Sequence, residues 1–276
     1  MKFQTEGAHM PKSDSDNQTA KYNAPALSKG LDILELLASQ SKGMKKSEIA
    51  KALDRSISEI FRMLAVLSER GYVALDQKSE CYSLTPRLFE IAHRHPPIRR
   101  LNAIAGEVME DLARTLNQSV HLAILHNSDI LVIAQTDPPG NNVTSVRLGA
   151  RVPLILTASG AVLTYQKTQK ARNALCANLK DMPADAMDQF ERNILATKAN
   201  GYCESPSAVI QGVYNISVPV FSYSGDVIAA ITVPFIKRLV ASNDATMEET
   251  RLALIQAGKQ MSHLIGAGAS DFEETS

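Results

Sequence analysis

Lys45, Lys46, Arg55, Ser56, Ser58, Glu59, Arg62 and Lys78 crowd into one short stretch, a set of side chains suited to a polyanion. Arginine forks onto a guanine edge or a phosphate, serine bonds either, and glutamate accepts from a cytosine amine. Lys45, Lys46 and Arg55 suit sequence-independent phosphate contact, and Lys78 suits the neighbouring backbone; all four read equally well as ordinary surface cations. Arg62, with Ser58 beside it, is the stronger candidate. Its competing reading is a surface ion pair with Glu59 or Glu69, and contact with a duplex is favoured over that. For Glu59 the preference is reversed. Ser56-Ile57-Ser58-Glu59 fits a capping box in which the carboxylate returns to the Ser56 amide, a device worth about 1 kcal/mol with or without a partner.

Farther along, Thr157-Ala158-Ser159-Gly160 places small residues and free amides at a helix start. That is either a seat for an anion or a place where the helix packs close to a sheet. His121 is a pocket donor or a satisfied half-buried histidine, the second being preferred. Arg147 pairs with a ligand carboxylate or with a structural acid. Catalytic patterns are poor. Ala158-Ser159-Gly160 has Thr157 where a nucleophile elbow needs glycine, and Gly266-Ala267-Gly268 follows a helix instead of a strand. The six histidines never take HxxxH spacing, and Cys81, Cys176 and Cys203 form no CxxC pair. No catalytic residue, metal or cofactor is expected, and the odd, scattered cysteines fit a reducing cytoplasm.

Periodicity supplies the elements that must hold these groups. Leu27 to Ser39 reads as a helix with Leu27, Leu31, Leu34 and Ala38 on one face and Leu37 widening it. Ser47 to Leu53 is a short helix, and the tight turn Asp54-Arg55 forces the next helix to cross it steeply. That helix opens at Ser56. Ile57, Ile60, Phe61, Leu64 and Leu67 form its expected inward stripe, leaving Ser58, Glu59, Arg62 and Met63 outward. Gly71 stops it, and strands Tyr72 to Leu75 and Cys81 to Leu84 flank the polar turn Asp76-Gln77-Lys78-Ser79. Residues 24–85 are therefore expected to be a winged helix-turn-helix that binds double-stranded operator DNA, with half-sites about one helical turn, or a multiple, apart.

Pro86 to Ala92 continues helical until His95-Pro96-Pro97, where the domain boundary is drawn. Residues 86–117 read as linker helices. Within them Leu101, Ile104, Val108, Leu112 and Leu116 make Leu101 to Leu116 amphipathic, and this helix is expected to join the domains and help dimerise them. Short strands follow at Ser119 to Leu125, Ile130 to Thr136 and Thr144 to Leu148. Helices run from Thr157 to Gln166, through Leu175, and from Ala184 to Lys198. Strands at Tyr202 to Ser205, Asn215 to Phe221 and Val227 to Val233 precede a last helix, Met247 to Ile265. The order is that of an α+β domain with a mainly antiparallel sheet over residues 118–267.

The 276 residues are 45% apolar and 21% charged, ordinary globular values, with zero net charge. The charge is unevenly placed: Lys21 to Arg100 holds 14 basic and 9 acidic residues, leaving 15 and 20 elsewhere, so only the first part is expected to touch phosphate. No apolar run approaches the ~20 residues that span a bilayer, so no membrane partner is expected. Residues 1–23 read as a disordered arm or tag and residues 268–276 as an acidic tail.

Over roughly Ala24 to Gly266 the chain resembles the IclR family of bacterial transcriptional regulators. The matching stretches are Ala26-Leu27-Ser28-Lys29-Gly30-Leu31-Asp32-Ile33-Leu34-Glu35-Leu36-Leu37, Ser58-Glu59-Ile60-Phe61-Arg62-Met63-Leu64 and Glu69-Arg70-Gly71-Tyr72-Val73. In the second half they are Arg147-Leu148-Gly149, Pro153-Leu154, Thr157-Ala158-Ser159-Gly160, Gly201-Tyr202 and Val218-Pro219-Val220-Phe221 to Ala229-Ala230-Ile231. The resemblance implies an N-terminal winged helix-turn-helix, a C-terminal GAF-like domain that binds a small effector, often an organic acid, and a homodimer or tetramer that represses or activates catabolic operons. It places Ala158, Ser159, Ser205, Asn215, Thr232 and Pro234 in the effector pocket, and on that ground the helix start at Thr157 is read as an anion seat. The chain departs from the family pattern in four places. Cys203-Glu204-Ser205-Pro206-Ser207 replaces an acidic run, Asn215 a cysteine, Ile155 a histidine and Ala161 a lysine. The effector is therefore expected to be an organic, sugar or aromatic acid of unspecified identity. Two competing readings are a small-molecule enzyme whose basic region serves assembly, and a regulator that has lost effector response.

Overall fold

The computed structural model describes residues 24–94, 96–140, 143–179, 182–238 and 244–267. The expected arm and acidic tail lie outside them. Between Arg94 and His95 the chain divides into two compact units.

The first unit is built from α1 (Pro25–Ala38), β1 (Met44–Lys45), α2 (Lys46–Ala52), α3 (Ile57–Glu69), β2 (Val73–Asp76), β3 (Cys81–Leu84) and α4 (Arg87–Arg94). Ile33, Leu37, Ile49, Ala50, Ile60, Leu64, Val73 and Tyr82 form its core. The strands lie in the order β1-β3-β2, all antiparallel, so the hairpin wing gains a third strand, Met44 and Lys45 pairing with Tyr82 and Cys81. Asp54 turns the chain between α2 and α3 at φ +50°, a left-handed conformation that aspartate tolerates. Gly71 stops α3 at φ +74°, and the Tyr72 amide returns to the Leu67 carbonyl, a Schellman closure.

Two expected faces are rotated. On α1 the buried residues are Ile33 and Leu37, while Leu27, Leu31 and Ala38 are exposed. Leu27 and Leu31 instead line a shallow apolar groove with Leu34, Val66, Leu88 and Ile91. On α3 only Ile60 and Leu64 are buried, Ile57 and Phe61 stand out into solvent, and Met63, expected outward, packs against the core. The i, i+3, i+4 pattern is present, but these short helices meet their neighbours over a narrower arc than the apolar stripe allows.

The second unit begins with α5 (Pro96–Leu116), whose first turn takes the double proline expected to break the chain; proline is accepted there because those amides have no intrahelical partner. Its apolar stripe, Leu101, Ala105, Val108, Met109, Leu112, Ala113 and Leu116, is buried in the core of this unit. The apolar stripe of the helix expected to link and dimerise is thus taken up in the core of this unit.

That sheet contains β4 (Val120–His126), β5 (Asp129–Thr136), β6 (Arg151–Pro153), β7 (Cys203–Pro206), β8 (Val213–Phe221) and β9 (Val227–Ile236), ordered β6-β5-β4-β9-β8-β7. Every pairing is antiparallel. Residues 144–148, expected as a strand, are not one; the edge strand is β6, three residues later, pairing with Asp129 to Leu131. One face packs on α5 and α9 (Met247–Ile265), the other on α6 (Ala158–Thr164) and α8 (Ala186–Asn200), with α7 (Gln169–Cys176) beside them. The unit is α+β, helices covering both faces of an antiparallel sheet. Among the described residues no helix is long and apolar enough to cross a membrane.

Candidate functional site

The first candidate surface is the start of α3. Ser56 caps the helix: its hydroxyl accepts from the Glu59 amide, and the Glu59 carboxylate accepts from the Ser56 amide and hydroxyl. The other Glu59 oxygen lies 2.6 Å from Lys29 Nζ on α1. Hydrogen bonds from Lys29 and Ser56 and the lysine charge hold this carboxyl at about 2, against an ordinary 4.5. Glu59 is engaged as cap and brace, the role preferred on sequence, and has little left to offer a cytosine amine.

Around it stand the groups that fit a duplex. Ser58 and Arg62 are exposed one turn apart, and among the described residues Arg62 is in no ion pair with Glu59 or Glu69. Ser58 Oγ is 3.2 Å from Ser56 Oγ, so both hydroxyls lie at the helix start. Lys45 and Arg55 are exposed, and Lys46 Nζ sits 5.1 Å from the centroid of the Phe61 ring. Such a cation over an exposed ring contributes on the order of 0.5–1 kcal/mol. Lys78 is at the wing turn, its amide donating to Asp76 Oδ1.

The second candidate is a cavity of about 320 Å3 in the second unit. Of the expected residues, His121, Ala158, Ser159, Asn215, Thr232 and Pro234 line it, and so does Arg147. Ser205 does not. It borders a neighbouring cavity of about 300 Å3 with Gln189 and Asn193, and Leu156 and Ser207 border both. Ser205 pairs with Asn215 across the ladder, but on β7, the outermost strand, and so falls on the far side of those two residues.

Strand register sets a polar row across the sheet, of which His121 and Thr232 line the cavity. Cys203 opposes Ser217, Ser217 opposes Thr232, and Thr232 opposes His121, a row that crosses four strands on one face. Thr232 Oγ1 lies 2.8 Å from Ser217 Oγ and 3.3 Å from Ser159 Oγ of α6 above it. His121 is 4% exposed and its Nδ1 is buried without a hydrogen-bond partner among the described residues, which departs from the satisfied histidine preferred on sequence. Burial lowers its pKa to about 4, so the ring is neutral near pH 7, with one nitrogen to donate and one to accept. Burial also pushes the Cys203 thiol up to about 11.

The helix start is less open than expected. The Thr157 hydroxyl accepts from the Gly160 amide and donates to the Leu154 carbonyl, so that amide is already taken. A Cβ on Gly160 would come within 2.0 Å of the Leu154 carbonyl oxygen. Close packing accounts for Gly160, while Ala158 and Ser159 face the cavity. The walls are aliphatic: Ile130, Val152, Leu156, Val209, Ile210 and Val213. Among the described residues no Asp or Glu lines the cavity, and Arg147, exposed, is its one cation. Thr144, Ser145 and the loop residues Ser207, Val209 and Ile210 were missed on sequence. The only signal available for the last two was an apolar pair inside a loop, Val209 being 76% exposed.

Comparison with known proteins bears on both surfaces. A model described as the IclR helix-turn-helix domain matches residues 26–77, and one described as the bacterial transcriptional regulator IclR C-terminal matches residues 98–263. The glycerol operon regulatory protein of Streptomyces coelicolor is 26% identical over 249 residues, 89% of this chain and 98% of that protein. The HTH-type transcriptional regulator KdgR of Escherichia coli is 29% identical over 236 residues, 82% of this chain and 87% of that protein. Among solved structures, an IclR homolog of Microbacterium hydrocarbonoxydans complexed with 4-hydroxybenzoate superposes with a TM-score of 0.74 at 21% identity, over 87% of this chain and 98% of that one. The Thermotoga maritima IclR gives 0.69, also at 21% identity and with the same coverage. With models spanning both units, the chain belongs to the IclR family of bacterial transcriptional regulators, which pair a DNA-binding helix-turn-helix with a C-terminal effector domain.

Proposed function

We propose that α3 lies in the major groove of operator DNA with Ser58 and Arg62 at base edges and phosphates, while Lys45, Lys46, Arg55 and Lys78 hold the backbone. The cavity holds a small acid. Its aliphatic walls take an apolar body, and Arg147 at the exposed end takes the carboxylate. The volume is at the low end for ligand sites, which fits a compact organic or aromatic acid better than a polyhydroxylated sugar acid. The similar protein bound to 4-hydroxybenzoate supports that class. The single observation that carries the effector reading is the buried, unpartnered His121 nitrogen on the cavity wall, a polar group that folding alone leaves unsatisfied.

The chain acts as a homo-oligomer, dimer or tetramer, in the cytoplasm, and is a regulator and not an enzyme; its relatives are regulators. An effector that favours one arrangement of the oligomer then shifts operator affinity by the factor by which operator shifts effector affinity. A thermal-shift screen of organic, sugar and aromatic acids on the full-length protein, followed by gel shifts with and without each hit, tests this. A stabilising acid that also changes operator affinity is the expected result. Acids that neither stabilise the protein nor alter its DNA binding would mean that effector response has been lost.

A further inference from the structure

Ile57 and Phe61 are 51% and 52% exposed on α3. Folding gives no reason for them. The core of the first unit takes Ile60 and Leu64 from this helix, with Met63 and Leu67 packed beside them, and neither Ile57 nor Phe61 joins that set. At i and i+4 they stack on one face, next to Ser58 and Arg62, which have the same spacing one step round the helix. All four fall in the opening turns, the part of a reading helix that meets base edges. Lys46 of α2 lies 5.1 Å from the Phe61 centroid and so covers one side of the ring from outside the helix.

Charge decides what such an apolar pair is for. Lys46 lies over the Phe61 ring, Arg62 follows it on α3, and Lys45 and Arg55 are exposed just before α2 and α3. Of the nearby carboxylates, Glu48 accepts from the Lys45 amide and Glu59 from Ser56 and Lys29, while Asp54 is exposed in the turn before α3. Apolar side chains set among cations match a polyanion that carries apolar spots. In the major groove the apolar group on a base edge is the thymine C5 methyl. We propose that Ile57 and Phe61 read thymine methyls, so that operator specificity has an A·T component beside any guanine contact made by Arg62. The proposal rests on α3 being the helix that enters the groove.

The test uses the full-length protein and a pool of duplexes randomised over roughly three helical turns. Wild type, Phe61→Ala, Ile57→Ala, Phe61→Leu and Arg62→Ala each select from it. Wild type should select a thymine at a fixed position in each half-site. Replacing that base by deoxyuridine, which lacks only the methyl, should weaken binding about fourfold, the value of one buried methyl-sized group. At least one alanine variant should be indifferent to the replacement, and Phe61→Leu, which keeps apolar surface, should remain sensitive. Both side chains are half-exposed, so the variants should stay folded, Phe61→Ala melting slightly lower for its lost contact with Lys46, and affinities are compared well below those melting points. Equal affinity for thymine and deoxyuridine in wild type, or unchanged sensitivity in both alanine variants, would overturn the methyl reading while leaving the groove reading intact. No enrichment by wild type would overturn the groove reading and this inference with it.

Discussion

Lys29 Nζ lies 2.6 Å from Glu59 Oε1, tying α1 to the first turn of α3 while Ser56 holds the other side of the same carboxylate. One side chain thus caps the reading helix and braces it against the helix behind. Its sequence neighbours Ser58 and Arg62 are left free of both duties.

That carboxyl titrates near 2 in the folded protein against an ordinary 4.5. The unfolded chain binds the proton first as pH falls, so the contribution is complete above about pH 4.5 and is lost on acidification toward 2. Glu59→Gln should melt lower than wild type at neutral pH, and the gap should close through that window. Melting curves followed by circular dichroism would show it; a gap constant in pH would remove Glu59 from the linkage.

Arg62→Ala should lower operator affinity by roughly five- to 150-fold, the range of a lost bidentate base contact of about 1–3 kcal/mol, and leave the melting temperature unchanged. Arg62→Lys should recover little, because an ammonium cannot fork. Lys46→Ala should instead weaken all duplexes alike and reduce the slope of log affinity against log salt by about one. Fluorescence anisotropy on specific and scrambled duplexes separates the two; parallel losses on both for Arg62→Ala would place it on phosphate.

His121 gives a linkage of the same sign from the opposite cause, burial disfavouring the charged form instead of partners favouring it. Its buried ring has a pKa near 4, below the ordinary 6.5. Between those values the unfolded chain carries the proton and the folded chain does not, so stability falls as pH drops from 6.5 and levels off below 4. The loss is on the order of 3 kcal/mol. His121→Gln should flatten urea-denaturation stability across that window. An unchanged slope would assign the dependence to another group.

Much of this architecture was legible because periodicity and caps are local. The last helix was read as Met247 to Ile265, as it stands, and the Ser56–Glu59 box was read from four residues. Rotation of a helix about its axis is not local. The stripe at Ile57, Ile60, Phe61 and Leu64 is the same whichever half faces inward, and only packing against Ile33 and Ile49 decides. The segment 144–148 failed for a related reason: its residues look like a strand, but the edge of β5 is already paired with β6. In the cavity Ala158, Ser159, Asn215, Thr232 and Pro234 were found because the resemblance aligned them and His121 from its strand, while Ser205 borders the adjoining cavity, since alignment does not report which side of Leu156 a side chain falls on.

Gly160 and Gly258 offer a graded test of how tightly the second unit is assembled. A Cβ on Gly160 would lie 2.0 Å from the Leu154 carbonyl oxygen and 2.7 Å from its carbon, both backbone, so nothing flexible can yield. On Gly258 in α9 it would meet the Pro219 carbonyl oxygen, also backbone, and Val218 Cγ2, each at 2.9 Å, a far milder overlap of which the valine can relieve its part. Gly258→Ala also gains helix propensity, roughly 1 kcal/mol, which offsets part of the overpacking. Gly160→Ala gains the same and still cannot fit without moving α6 off the turn before it. It should therefore cost at least the 1–3 kcal/mol typical of overpacking, against a smaller loss for Gly258→Ala. Because Ala158 and Ser159 precede it on the cavity wall, Gly160→Ala should also weaken acid binding, whereas Gly258→Ala, in a helix on the opposite face of the sheet, should not. Chemical denaturation and calorimetric titration on both variants check the ranking; equal stability losses would mean that α6 shifts freely.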